Sequence, residues 1–358
     1  MIRLGIIGQP MCGKTTIFNT LTGADHPVGV SGAARRFDVN TATVDVPDPR
    51  LDNLSALLKP RKKTYTQVTY ADVAGFHADT RTEGLPGPVV NQLEQMDGLV
   101  HVVRAFDDPA VPHPSGSVDP ERDMATMETE FILHDMLMVE RRLERLAEDR
   151  QKGGRERAVV DREIALFERL GAVLEGGSPL REHEIKPEEI EALSGYGLLS
   201  DKPILVVINL SEGQDSLSLP APDKRVRMLQ MYGKLEMEIA QLSAEEAGDF
   251  LEGYGIQEPG RMGVVRTSYD VLDLLTFFTV NESEARAWTL ARGGTALEAA
   301  GTIHSDMARG FIRAEVIACD ELVELGGLTQ ARSEGKLRLE GKEYSIQDGD
   351  VIYIRFNV

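Results

Sequence analysis

One short stretch constrains this chain more than any other. Gly8-Gln9-Pro10-Met11-Cys12-Gly13-Lys14-Thr15 fits G-x-x-x-x-G-K-[ST]. Its glycines let the backbone wrap closely around a polyphosphate, so that successive N–H groups converge on it. A helix starting near Lys14 adds the positive end of its dipole. In such a loop the Lys14 ammonium reaches the β- and γ-phosphates and the Thr15 hydroxyl binds Mg²⁺. Thr16 follows within the same first turn. The context is the required one, with an apolar strand at Leu4–Ile7 before the loop and a helical stretch from about Lys14 to Leu21 after it.

Further apolar runs follow at Val68–Ala71, Leu99–Val103 and Ile204–Ile208, with a fainter one at Val226–Leu229. Such runs, separated by helical stretches, predict parallel strands covered on both faces. The expected fold is α/β, a doubly wound and mainly parallel sheet with its ligand at the carboxyl ends of the strands. Asp72-Val73-Ala74-Gly75 ends the second run. A carboxylate there is placed for a second Mg²⁺ contact, and Gly75 lets a backbone N–H approach the γ-phosphate. Asn209-Leu210-Ser211-Glu212 ends the Ile204 run. Guanine-specific sites carry Asn-Lys-x-Asp at this place, the Asp accepting from guanine N1–H and N2–H₂. Here Leu210 replaces the Lys and Glu212 is one methylene longer, so the guanine clamp is degraded. ATP is expected to bind at least as well as GTP.

Between these runs the pattern changes. Asp119-Pro120-Glu121 reads as a capped helix start. Ile132, Met136, Val139, Leu143 and Leu146 then form one apolar stripe, and Val160, Ile164, Phe167, Gly171 and Leu174 a second. With Gly153-Gly154 between them, they predict an antiparallel helical hairpin. Past about Thr276, alternating residues and Asp-Gly turns predict a small α+β module containing hairpins, Lys336–Glu340 pairing with Tyr344–Ile346. The expected division is a nucleotide-binding domain of residues 1–122 and 199–276, an inserted hairpin of 123–198 and a C-terminal module of 277–358.

The 358 residues carry 39 Lys and Arg against 58 Asp and Glu, a net charge of −19. Most of such a surface repels a polyanion, which argues against a sequence-specific DNA binder and confines any RNA contact to a local patch. The hairpin segment Glu140–Arg169 is one such place, with nine basic against eight acidic residues. Two cysteines, Cys12 and Cys319, exclude a disulfide framework and suggest a reducing, cytoplasmic setting. No apolar run approaches a membrane span, and no signal-peptide pattern precedes the glycine motif. Cys12 lies beside a helix N-terminus and Lys14, features that lower a thiol's pKa, although a small loop residue needs no such role.

The three nucleotide-site elements, in this order, resemble the YchF subfamily of Obg-type P-loop proteins. The C-terminal segments resemble it more closely still: Ala299-Ala300-Gly301-Thr302-Ile303-His304-Ser305-Asp306, Gly310-Phe311-Ile312-Arg313-Ala314-Glu315-Val316 and Gln347-Asp348-Gly349-Asp350-Val351. The likeness implies an ATP-preferring switch that accepts GTP, uses Mg²⁺ and associates with the ribosome or structured RNA, here as a monomer. It also implies that the α+β module is a TGS domain. Departures from the family concern the switches and the base loop. The place of the first-switch Thr falls at Arg36, with Ser31, Thr41 and Thr43 nearby. Phe76, where the family likewise carries an apolar residue, stands where Ras-like enzymes orient water with Gln, and His77 is adjacent. Tyr232-Gly233 takes the place of the base-binding Ser-Ala loop. Slow hydrolysis is therefore expected, with a non-hydrolysing nucleotide sensor as the alternative.

Overall fold

A computed structural model describes residues 2–26, 39–73, 85–193, 195–220, 225–253 and 259–357. The chain divides into two compact units, residues 1–43 with 69–271 and residues 44–68 with 272–358.

The first unit is built on a sheet ordered β2-β4-β1-β5-β6-β7. Its strands are β1 (Ile2–Ile7), β2 (Val39–Val46), β4 (Thr66–Val73), β5 (Gly98–Arg104), β6 (Ile204–Asn209) and β7 (Val226–Met231). Parallel registers join β1 to β5, β5 to β6 and β6 to β7, as the apolar runs predict. All residues of β5 and β6 are buried, which explains their mainly apolar character. One layer of core joins Leu99, Val103, Ile204 and Val206 of these strands to Met127 and Phe131 of the long helix Pro120–Lys152.

Helix α1 (Lys14–Thr22) follows β1 directly. The hairpin pairs Pro120–Lys152 with Arg157–Glu175, and Gly153 ends the first of these at φ 68°. The predicted stripes meet: Ile132, Val139, Leu146, Val160, Phe167 and Leu174 share one buried cluster. Asp119 caps the start, its carboxylate accepting from the Arg122 N–H at 3.1 Å. The hairpin clusters with the sheet as part of one unit, not as a separate body. Asp135 shows why. It is fully buried in the middle of the first hairpin helix and accepts from Leu199 N, Ser200 N and Ser200 Oγ at 2.9, 2.8 and 2.6 Å.

The second unit has a sheet ordered β11-β10-β12-β8-β9-β3. Its strands are β3 (Lys62–Thr64), β8 (Leu274–Val280), β9 (Glu284–Ala291), β10 (Phe311–Ala318), β11 (Arg338–Glu340) and β12 (Asp350–Phe356). Two expectations are corrected here. Residues 44–68, expected in the nucleotide-binding domain, cluster with the C-terminal residues, and the second boundary falls at 271 instead of 276. The cause is local: β3 pairs in parallel with β9, while Leu51 and Leu54 of helix Pro49–Leu58 enter a core with Phe278, Ile317 and Val351. The hairpin expected at Lys336–Ile346 is also replaced. Arg338–Glu340 pairs with β10 instead, and Ser345 makes only an isolated bridge to Thr295. Local alternation was real, but the partner strand came from elsewhere in the chain.

Candidate nucleotide site

The loop between β1 and α1 adopts the conformation its glycines permit. Gly8 and Gly13 have φ of 150° and 99°. Space forbids a side chain at either as well: a Cβ on Gly8 would lie 2.3 Å from the Val102 carbonyl, and one on Gly13 would lie 2.2 Å from Asn209 Nδ2. Met11 holds a left-handed φ of 62° with its side chain exposed, a strained non-glycine position of the kind found at functional loops. No side chain caps α1 and its first turn holds no acid, so no side chain of this turn competes with an anion for its leading amides and positive dipole end.

The Lys14 ammonium folds over this loop and donates to the carbonyls of Gly8 and Gln9 at 3.0 and 2.8 Å. Beside it the Thr15 hydroxyl donates to Asp72 Oδ2 at 3.0 Å, joining residues 57 positions apart. Asp72 is only 5% exposed. Burial pushes its carboxyl above the usual range, against the lowering effects of the Thr15 bond and the Lys14 charge. A buried carboxylate and hydroxyl side by side suit a hard divalent cation. Among the described residues no group of three or more His, Cys, Asp or Glu is placed to hold a metal. Magnesium bound with phosphates needs only one or two protein ligands, so Thr15 and Asp72 fit it. Thr16 is buried, and its carbonyl accepts from Thr20 Oγ1.

Asn209 ends β6 and joins two loops. Its Nδ2 donates to the Cys12 carbonyl at 3.1 Å, and its Oδ1 accepts from the Gly233 N–H at 3.0 Å. Gly233 must be glycine here, because a Cβ would lie 2.6 Å from Asn209 Oδ1 and 2.9 Å from Ile17. Leu210, expected at the base pocket, is buried in the core under β6, where an apolar side chain gains more than in a wet pocket. Tyr232 packs against the same core and donates its hydroxyl proton to the Gln214 carbonyl at 2.9 Å. Glu212 is exposed.

Cys12 is a free, buried thiol. It is 2% exposed, and burial raises its thiol pKa, outweighing the nearby Lys14. Sequence reasoning also passed over Arg104, which ends the fully buried strand β5, and Phe106, which lies just beyond it. The Arg104 guanidinium stacks over the Phe106 ring at 4.4 Å and donates to the Val111 carbonyl at 2.7 Å. A Cβ on Gly13 would lie 4.0 Å from that ring, so Phe106 borders the phosphate loop. An aromatic residue directly after a strand's carboxyl end was the available signal. Gly75, Ser31, Arg36, Phe76 and His77 lie outside the described residues. Thr43 is on β2, its hydroxyl 3.1 Å from that of Thr69, and Thr41 is exposed on the same strand.

Comparison with known proteins agrees with this geometry. Residues 3–142 match the family described as 50S ribosome-binding GTPase. Residues 274–357 match the YchF-GTPase C-terminal family, described as a protein of unknown function (DUF933). The ribosome-binding ATPase YchF of Bacillus subtilis (strain 168) is 41% identical over 373 residues, covering 100% of both chains. Its counterpart from Escherichia coli O157:H7 is 35% identical, covering 99% of each. The Obg-like ATPase 1 of Oryza sativa subsp. japonica is 33% identical over 100% of this chain and 92% of its own. The solved structure of the Schizosaccharomyces pombe YchF GTPase superposes with a TM-score of 0.82 at 28% identity, covering 99% of this chain and 97% of that one.

Proposed function

This chain belongs to the YchF family of P-loop NTPases, and from that premise we propose that it is a nucleotide-dependent switch that binds ATP with Mg²⁺, accepts GTP and docks on the ribosome. The observation that carries the proposal is the Lys14 ammonium held over the phosphate loop with the Thr15–Asp72 pair beside it. The loop amides and the start of α1 hold the phosphates, and Lys14 exchanges its loop carbonyls for phosphate oxygens. Thr15 and Asp72 hold Mg²⁺, which neutralises phosphate charge and orients the triphosphate. Asn209 fixes the phosphate loop against the Gly233 turn. Glu212, exposed and longer than the guanine-reading Asp, leaves adenine acceptable. With Leu210 in place of the Lys and Glu212 in place of the Asp, the guanine clamp is degraded and ATP binds at least as well as GTP.

Hydrolysis is slow, because Phe76 replaces the residue that orients water in faster enzymes. Gly75 belongs to this second switch, its backbone N–H serving the γ-phosphate. The ribosome-binding names of the relatives support the partner, and the charge of −19 requires a local contact. The hairpin tip is a ladder of ion pairs, including Arg150–Asp161 at 2.9 Å and Arg142–Glu163 at 2.5 Å. Those arginines reach RNA phosphate only by exchanging carboxylate partners. A contiguous set of contacts joins the nucleotide loop to the hairpin's base. Phe106 borders Gly13, and Arg104 ties Phe106 to Val111. His113 Nδ1 accepts from the Ser115 N–H, which leaves its Nε2–H to donate to Asp123 in the first hairpin turn at 2.9 Å.

Titration calorimetry with MgATP and MgGTP on the parent and Lys14→Ala tests the site. Both nucleotides bind the parent and neither binds the variant. Failure of both to bind the parent at about millimolar levels ends the proposal. A GTP affinity tenfold above that for ATP would reject the base reading. Co-sedimentation with ribosomes in ATP, GTP, their slowly hydrolysed analogues and no nucleotide tests the partner.

A further inference from the structure

Three loops meet at one side chain beside the nucleotide site. Gln214 lies just past the end of β6. Its side-chain carbonyl accepts from the Ser211 N–H at 2.9 Å, while its main-chain N–H donates to the Ser211 carbonyl at 3.1 Å. Gly213, at a left-handed φ of 73°, lets the chain close this turn. Residues 211–214 are thus a turn tied at both ends, and the turn carries Glu212. The side-chain Nε2 of Gln214 donates to the Ala105 carbonyl at 3.1 Å, in the segment leaving β5. Tyr232, just past β7, donates its hydroxyl proton to the Gln214 main-chain carbonyl at 2.9 Å. Further on, Gln230 of β7 pins Leu217 through both main-chain groups, donating to its carbonyl at 2.7 Å and accepting from its N–H at 2.8 Å. The stretch after β6 is therefore fastened at 214 and again at 217.

Ala105 immediately precedes Phe106, which borders Gly13 of the phosphate loop. The Phe106 segment and the Glu212 turn leave the carboxyl ends of adjacent parallel strands, where a doubly wound sheet takes its ligand. We propose that Gln214 is a positioning residue for the nucleotide base: it sets the separation of these two segments, and the base enters between them. The inference rests on the nucleotide reading above and adds a residue that acts on the base and not on the phosphates. One amide meets one donor and one acceptor at once, and only one orientation does so, because the flipped group would set N–H against N–H and oxygen against oxygen. The consequence of losing it is local. Ala105 keeps the bond from its N–H to the Asn209 carbonyl at 2.9 Å, and Asn209 still holds Cys12 and Gly233. The phosphate loop therefore keeps its anchors while the base loses a fixed wall.

Ligands with and without a base separate the two halves of the site. Calorimetry on the full-length protein uses MgATP, MgGTP and magnesium tripolyphosphate. The parent binds ATP at least about tenfold more tightly than tripolyphosphate. Gln214→Met, similar in length but without the amide, weakens ATP and GTP about tenfold and leaves tripolyphosphate within about twofold. Gln214→Glu keeps the acceptor for Ser211 but turns an oxygen toward the Ala105 carbonyl, and it weakens both nucleotides as much. Tyr232→Phe removes only the hydroxyl bond to the turn, weakens ATP about threefold and serves should the Gln214 variants fail to fold. A Gln214→Met variant that binds ATP as the parent does, or that loses tripolyphosphate in step with ATP, overturns the proposal. A parent that binds tripolyphosphate as tightly as ATP also overturns it and leaves the phosphate site standing, whereas a parent that binds neither ends the nucleotide reading itself.

Discussion

Replacing Asn209 by Ala tests the architecture of the nucleotide site most directly. The side chain is 4% exposed and makes two bonds, one to the Cys12 carbonyl at 3.1 Å and one from the Gly233 N–H at 3.0 Å. Truncation leaves both backbone groups buried without partners. At about 1–3 kcal/mol for each orphaned group, the loss comes to about 2–6 kcal/mol. Part of it appears as global stability and part as misplacement of the phosphate loop, because Asn209 Nδ2 packs directly on Gly13. A loop share of about 1.4 kcal/mol weakens ATP binding about tenfold. Urea unfolding followed by two probes gives the first share as a fall in midpoint at constant slope, and calorimetry with MgATP gives the second. Asn209→Asp sharpens the test. It keeps the acceptor for Gly233 but sets a carboxylate oxygen against the Cys12 carbonyl, so it is at least as damaging as Ala. An Ala variant within about 0.5 kcal/mol of the parent, with unchanged ATP affinity, refutes the reasoning.

Other substitutions read separate parts of the molecule. Burial raises the Asp72 pKa in the folded protein, so the folded state holds that proton more readily than the unfolded chain. Without nucleotide, Asp72→Asn therefore stabilises the protein above the folded pKa, and the gain fades as pH falls through it; urea melts across that range show the crossover, and a gain growing on acidification contradicts it. The same variant loses most of the Mg²⁺ dependence of nucleotide binding, measured by calorimetry with and without chelator. Burial raises both cysteine thiols, Cys319 to about 11, so neither reacts quickly with a thiol reagent near neutral pH until the protein unfolds; one fast native thiol shows otherwise. Asp135→Ala removes the acceptor of two buried N–H groups and a hydroxyl and destabilises the first unit by about 3–5 kcal/mol, read by denaturant unfolding.

The division between sequence and tertiary structure follows the range of the interactions. The phosphate loop was legible because its requirements are local: glycine at two tight positions, a lysine and a hydroxyl at the head of a helix, an apolar strand before it. The hairpin was equally legible, since both stripes and the Gly153 turn lie within one continuous stretch. Asp72 could be assigned to Thr15 because strand order in a parallel sheet puts successive carboxyl ends side by side. Pairing across long stretches of chain was not written in any local pattern. Arg338–Glu340 alternates as a hairpin strand does, yet β10 outcompetes Tyr344–Ile346 for it. Residues 44–68 follow the nucleotide loop in the chain but bury Leu51 and Leu54 with Phe278 and Val351. Cys12 shows the same limit in chemistry. Its neighbours in sequence supply charge that favours a thiolate, while its neighbours in space exclude the water that a thiolate needs. Motif spacing fixes which groups approach a phosphate; desolvation, which depends on everything packed around them, belongs to the folded molecule alone.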